Sequence, residues 1–312
     1  MLSTLNDEIE LFDGQAYKNI AAVPIKTPIN YKFDILTLAK GLELGLVEIK
    51  ELEHSTVNTI NVVNNAVTPL LLVDGEEIIG GDQNRIVNST VLVAPQSEMK
   101  IPVNCTEHGR WGFKHDFKHS NYMATSRTRY AKALCSDANE QQRAVWRSID
   151  VLEDSRGFSS PTQAMSESYD NVEKDLSEGI DSFKIIDGQT GVLIIVDGKI
   201  KGFEIFFNSE IYAKYHEKIL KSYIIDTEIN DSVFSINIDE AKSYIEKAID
   251  SDFKQTKSIG LETPYEFKNE DGIGKVYAYK DEIIHLSYFS DIEDIKNFDD
   301  EANEPQDLGV IF

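Results

Sequence analysis

The chain has 312 residues, 41% of them hydrophobic, and a formal net charge of −23. That length can bury a large core as one domain or two smaller ones. The charge excludes an extended nucleic-acid or anionic-membrane surface, which would repel the protein at long range, and no run approaches the roughly 20 apolar residues of a membrane span.

In chain order, the opening MLSTLNDEIELFDG lacks a basic stretch followed by an apolar one, so no signal peptide is expected. Two cysteines, Cys105 and Cys135, make no disulfide framework, and the expectation is a cytoplasmic protein. Residues 21–28 (AAVPIKTP) read as a short strand, 36–51 alternate helix and strand signals, and the β-branched stretch 57–65 reads as a further strand. Pro69–Gly80, PLLLVDGEEIIG, sets two apolar runs around Asp74-Gly75 and predicts a hairpin. Arg85–Val93 and Lys100–Val103 add strands joined by a turn at Pro95–Ser97. The succession predicts a barrel or sandwich over about residues 15–112.

Composition then changes. Ser120–Glu153 has helical spacing, with Val145, Trp146, Ile149 and Leu152 as one apolar stripe. Ser155–Ser160 reads as a loop and Tyr169–Ile180 as a helix. Gly191–Gly202, GVLIIVDGKIKG, echoes Leu71–Gly80, although hairpins converge on Asp-Gly and the echo does not establish a duplication. Ser209–Ile225 predicts a helix carrying Tyr212, Tyr215, Ile219 and Tyr223 on one face. Asp291–Asp307 holds eight acids and one lysine and reads as a solvated tail, ending in the apolar Leu308–Phe312. The expected class is α+β: a β-rich barrel or sandwich over 1–115, a central helical segment with a hairpin–helix unit over 116–230, and an acidic C-terminal α/β portion over 231–312.

All seven arginines lie between Arg85 and Arg156, whereas the 24 lysines are spread along the chain. A guanidinium is a planar fork that grips carboxylate or phosphate through two parallel bonds. From Lys100 to Arg147, nine Lys/Arg stand against four Asp/Glu, a local excess of five positive charges. The densest polar segment is Gly75–Trp111. Gly80-Gly81 permits close approach of backbone to a ligand, Gln83, Asn84 and Arg85 follow as directional donors, and Glu107 and Arg110 stand near a strand end. A purely structural reading has equal standing: Arg85 or Arg110 pairs with Glu76 or Glu107 and fastens the barrel mouth. His115 and His119, with Asp116 and His108 nearby, have the spacing of metal ligands on a helix, but no HExxH or paired CxxC accompanies them and no metal ligand is assigned. Cys105 as a nucleophile beside His108 is disfavoured by strand geometry. P-loop, GxGxxG and GxSxG patterns are absent.

Gly75-Glu76, Gln83-Asn84-Arg85, Ile101-Pro102-Val103 and the C-x-E-x-G-R-W of Cys105–Trp111 resemble a family named for its association with ADP-ribosylglycohydrolases and rhodanese/phosphatase-superfamily proteins. The resemblance covers about residues 15–230. It implies a link to NAD and ADP-ribose metabolism, including conflict between phage and host, and supplies a substrate neighbourhood without a mechanism. The chemistry fits: forked arginines match a diphosphate, adenine can stack on Trp111 or Phe113, and a carboxylate can orient a ribose hydroxyl or, with a pKa raised by burial, act as a base. The expected ligand-binding residues are Gln83, Asn84, Arg85, Arg110, Trp111 and Arg127, with Glu107 and Glu76 in the catalytic role. The expected function is binding or hydrolysis of an ADP-ribose- or NAD-derived nucleotide in an Arg-rich pocket. The alternative is an acidic interaction protein that docks on or inhibits a partner without catalysis. Cofactor, divalent-metal requirement and homo-oligomeric state stay open.

Overall fold

Short runs of Ile, Val and Leu broken by Gly, Asn and Asp favour strands, because branched side chains suit a pleated, half-buried surface. The computed structural model describes residues 9–28, 33–52, 58–110, 112–206, 208–292 and 295. The chain opens with β1 (Glu10–Leu11), β2 (Gln15–Tyr17), β3 (Ile20–Lys26), β4 (Leu36–Thr37), α1 (Leu38–Glu43), β5 (Val47–Lys50) and β6 (Thr59–Asn64). The motif-bearing segment contains β7 (Leu70–Leu72), β8 (Glu76–Ile79), β9 (Arg85–Val87), β10 (Val91–Val93), β11 (Ser97–Cys105) and β12 (Lys118–Met123). Helices α2 (Ser126–Leu134), α3 (Ala138–Arg156), α4 (Met165–Asn171) and α5 (Glu173–Ile180) precede β13 (Gly191–Val196), β14 (Lys199–Phe206), α6 (Ser209–Ile224) and α7 (Ile238–Ile249). Four strands end the series: β15 (Lys254–Gln255), β16 (Thr263–Lys268), β17 (Gly272–Tyr279) and β18 (Glu282–Ser290).

These elements make a mixed α/β chain built on three sheets. The largest runs β1-β3-β13-β14-β18-β17-β16-β15 with β2 also on β3; the others run β12-β8-β9-β11-β6-β5 and β10-β7-β4. Pairing is antiparallel except for β4 against β7. β3 pairs with β13 from Ile20↔Val196 to Ile25↔Gly191, so strands of all three expected segments share the largest sheet. A separate apolar cluster, including Val62, Leu72, Val87, Val93 and Ile101, lies within the β-rich stretch from Leu38 to Phe117. β7 stands between both cores: Leu70 and Leu72 enter this cluster and Leu71 enters the larger one. Burial on both faces explains its unbroken apolar sequence.

Two Val-Asp-Gly turns behave differently. At Asp197-Gly198 both residues have positive φ (51° and 74°), and β13 and β14 form the expected hairpin, a turn whose twist matches paired strands. At Asp74-Gly75 only Gly75 does (φ 81°), and Glu76 N–H donates to the Val73 carbonyl at 2.9 Å. That is a type II geometry. It turns the chain from one sheet into another, so β7 and β8 are not partners and the expected hairpin is corrected. The helical reading of Ser120–Glu153 also needs division: Lys118–Met123 is strand, and the helix starts after Thr125, whose hydroxyl accepts from Thr128 N–H. α3 runs through Ser155 and Arg156 and stops at Gly157, φ 59°.

Several charges in the core are paired, because an unpaired buried charge is strongly destabilising. Arg129, fully buried, meets Glu204 at 2.8 Å and Phe289's ring at 4.7 Å. Glu204 faces His285, His285 meets the Thr90 hydroxyl at 2.8 Å, and Thr90 accepts from Asp74 N–H at 3.0 Å. Asp74 pairs with Lys132. Of the expected acidic tail, Asp291 accepts from Tyr130 hydroxyl and Ile295 is buried in the large core; Leu308–Phe312 and most of the tail lie outside the described residues. No helix among the described residues is long and apolar enough to cross a membrane.

Candidate functional site

Successive residues of a strand face opposite ways, which separates Glu76 from Glu77 on β8. Glu76 faces α6, accepting from Lys218 Nζ at 3.1 Å and from Tyr215 hydroxyl at 3.3 Å. It lies in the interior, paired with Lys218, and is not among the residues gathered around Glu107. Glu77 faces the other side, where Thr106 hydroxyl donates to its Oε1 at 3.1 Å.

Beyond β8 the chain turns at Gly80 and Gly81, with φ of 116° and 54°. A Cβ on Gly81 would lie 2.3 Å from Phe117, so glycine is required there. The turn presents its carbonyls to Arg110, whose Nη1 donates to Gly81 and Gly112 carbonyls at 2.7 and 2.8 Å. Nη2 donates to Glu107 Oε2 at 2.6 Å and to Asn84 Oδ1 at 3.3 Å. Glu107 also accepts Asn84 N–H at 3.2 Å and Thr162 hydroxyl at 3.0 Å, while Gln83 Nε2 donates to its carbonyl at 2.9 Å. Burial pushes the Glu107 carboxyl up, but the Arg110 bond and charge, with the Thr162 hydroxyl and Asn84 N–H, together outweigh it and hold the pKa below its ordinary value. Glu107 is an oriented acceptor whose carboxyl favours the ionised form.

Thus Gln83, Asn84, Glu107 and Arg110 come together, and the Arg110–Glu107 pairing foreseen by the structural reading is present. Arg85 turns instead to Glu51, 3.6 Å away, with its side chain 2% exposed. Arg127 lies in the first turn of α2, where its N–H donates to Asp226 at 2.9 Å. Trp111 lies outside the described residues. Cys105 donates to Gln83 Oε1 at 2.9 Å, and burial pushes its thiol up to about 11, which removes it as a nucleophile at neutral pH. His108 packs against Trp146, ring centroids 4.2 Å apart and planes tilted by 31°. His115 precedes β12 and His119 lies on it, so neither has the helical spacing of metal ligands; no metal-holding group of three His, Cys, Asp or Glu occurs among the described residues.

A cleft of about 310 Å³ opens where β8, β12, the Glu107 loop and α4 meet. Glu107, Glu167 and Asp170 supply carboxylates to its lining, and Lys114, His115 and His119 supply cations or hydrogen-bond donors. Asn84, Ser166 and Tyr122 also line it, Tyr122 hydroxyl donating to Asp170 at 2.6 Å. No arginine is among the lining residues; Arg110 aligns Asn84 and Glu107 from behind. Asp170 falls in the expected helix Tyr169–Ile180, but nothing local placed it, Ser166 or Glu167 at this cleft, because they arrive by a non-local contact: Met165 N–H donates to the Thr106 carbonyl at 2.9 Å, and Ala164 bridges Glu107. Glu77 had a signal, the alternation that sends it away from Glu76.

The family model described as the ARG and Rhodanese-Phosphatase-superfamily-associated Protein domain matches residues 8–289. No curated protein and no solved structure matches the chain.

Proposed function

The chain belongs to the family of the ARG and Rhodanese-Phosphatase-superfamily-associated Protein domain, and from that premise we propose that its cleft binds an ADP-ribose- or NAD-derived nucleotide in the cytoplasm. The supporting observation is the mixed lining: carboxylates Glu107, Glu167 and Asp170 together with Lys114, His115 and His119. Carboxylates accept hydrogen bonds from sugar hydroxyls, and Lys or protonated His attracts phosphate. A ribose phosphate offers both. The volume of about 310 Å³ is near the lower end of the usual range for small-molecule sites, about 300–1,000 Å³. The cleft therefore takes the ribose-phosphate half and leaves the base outside, where Phe113, 69% exposed beside Lys114, offers a ring face. Glu107 orients a hydroxyl, with Asn84 and Ser166 beside it. Anion recognition rests on Lys114 and the two histidines, in place of an arginine-rich pocket.

The alternative, an acidic protein that docks on a partner, is favoured by the net charge of −23. Thermal-shift titration with ADP-ribose, NAD and ribose 5-phosphate, each with and without a divalent cation, separates the two. ADP-ribose and ribose 5-phosphate are expected to raise the melting temperature, since a ligand at a hundred times its dissociation constant stabilises by about 2.7 kcal/mol. Product analysis of the same mixtures detects hydrolysis. No shift with any of the probes would overturn the nucleotide reading.

A further inference from the structure

A second hollow, of about 210 Å³, opens where the β-rich stretch meets β16 and β17 of the largest sheet, and it shares no lining residue with the first cleft. One wall is a cross-strand quartet: Glu266 stands opposite Lys275, and Pro264 opposite Tyr277. Residues two apart on a strand share a face, so all four line the hollow together. Asn88 and Ser89, from the loop after β9, and Gln141 of α3 supply other walls. The carboxylates here are already engaged. Glu262 accepts the N–H groups of Leu92, Ile259 and Gly260 at 2.7, 3.1 and 3.0 Å, and Glu266 pairs with Lys275 at 3.1 Å.

What stays unmet is uncharged. Asn88 and Tyr277 are only 9% and 1% exposed. Asn88 Oδ1 and the Tyr277 hydroxyl make no hydrogen bond of normal geometry among the described residues. Buried polar groups are nearly always satisfied, so two beside one hollow point to an occupant. Both are held in place. The Asn88 carbonyl accepts from Lys132 Nζ at 2.9 Å, and Asn88 Nδ2 reaches Gln141 Oε1 at 3.4 Å. The Tyr277 ring stacks on His285, centroids 5.9 Å apart and planes within 10°, and His285 is fixed in turn by the Thr90 hydroxyl at 2.8 Å.

We propose that this hollow binds a small, neutral polyhydroxy compound on the scale of a single sugar ring. An amide oxygen needs a donor and a phenol proton needs an acceptor; a hydroxyl group is both. The side chains of Ser89 and Gln141 add further polar partners, while Pro102, Ile259 and Pro264 offer apolar contact to ring carbons. The volume lies below the usual range of about 300–1,000 Å³ for small-molecule sites, which suits one ring and excludes a dinucleotide. Neutrality follows from the engaged carboxylates and the Lys275–Glu266 pair. Lys257, also in the lining, is exposed, so a phosphorylated sugar is the competing occupant. The site stands independently of the nucleotide reading of the first cleft.

The test titrates D-ribose, myo-inositol and ribose 5-phosphate separately into the full chain, followed by nitrogen-15 NMR. The neutral compounds are expected to shift the side-chain amide signals of Asn88 and Gln141 saturably. Tyr277→Phe keeps the ring on His285 and removes the hydroxyl, and should weaken this binding about tenfold, the worth of one hydrogen bond. Gln141→Ala, half-buried on α3, should weaken it too, and carries the test if Tyr277→Phe melts early. Asp170→Asn, in the first cleft, should leave it unchanged. Unmoved Asn88 and Gln141 signals with both neutral compounds overturn the proposal, as does affinity unchanged in folded Tyr277→Phe and in Gln141→Ala. Loss of sugar binding in Asp170→Asn places the sugar in the first cleft and overturns it equally. Shifts at Asn88 and Gln141 with ribose 5-phosphate alone make the occupant an anion and overturn the neutral class.

Discussion

At the scale of single residues, Arg110 shows how a conspicuous sequence feature acquires its meaning from its acceptors. The concentration of arginine was visible in the sequence, and so was the gathering of Gln83, Asn84, Glu107 and Arg110. What each guanidinium grips was not, because that depends on which carbonyls and carboxylates tertiary folding delivers. Arg110 spans the Gly81 and Gly112 carbonyls and Glu107 at once. Lysine has no fork with which to do so. Arg110→Lys is therefore expected to destabilise by about 1–3 kcal/mol, the cost of leaving buried acceptors unmet, and Arg110→Ala by about 3–5 kcal/mol, since Glu107 is left without its cation. Urea unfolding measures both; an Arg110→Lys variant of wild-type stability would show that charge alone suffices. Glu77 gives a pH signature. Its folded pKa, about 7, exceeds its ordinary value of 4.5, so the folded state binds more protons between those values and stability falls as pH rises through that window. The loss is complete above the folded pKa, where it reaches about 3 kcal/mol. Glu77→Gln, which cannot ionise, should flatten this slope and gain on the wild type as pH rises; an unchanged slope contradicts the assignment.

Among the elements, helices with long apolar stripes were the most legible. α6 buries Tyr212, Tyr215, Ile219 and Tyr223 as its spacing requires. The paired Val-Asp-Gly turns were half legible, because the tripeptide permits both a hairpin and a change of sheet, and the choice lies in Asp74's backbone angle. Buried polar partners between elements were illegible: nothing local in Arg129 of α2 announces Glu204 of β14. Burial pushes Glu204 up, but Arg129 and His285 overcome this and hold it at about 2, so the pair stays ionised through ordinary acid conditions. Either Arg129→Met or Glu204→Leu alone is expected to cost about 3–5 kcal/mol, and the double variant less than the sum, because no orphan charge remains. A double-mutant cycle by chemical denaturation measures this; additive losses would mean that the pair is not coupled.

For the whole molecule, the strand content and a β-rich stretch with its own core were readable, while the sharing of one sheet by distant segments was not. Pairing of β3 with β13 joins residues more than a hundred positions apart, and no local pattern encodes such a partner. The residues just past β18 also participate in the fold. Ending it at Ser290 removes Asp291 from Tyr130 and Ile295 from the core, and should lower stability by about 2 kcal/mol from the apolar burial alone; calorimetric melting of the shortened chain checks it. The central claim concerns the cleft where β8, β12 and α4 meet, and the crystal structure of the protein with ADP-ribose tests it most directly. The expected result is ribose-phosphate density between the Glu107–Asp170 carboxylates and Lys114, with the base towards Phe113. Density elsewhere, such as the second polar hollow between Asn88 and Tyr277, with this cleft empty, would contradict it.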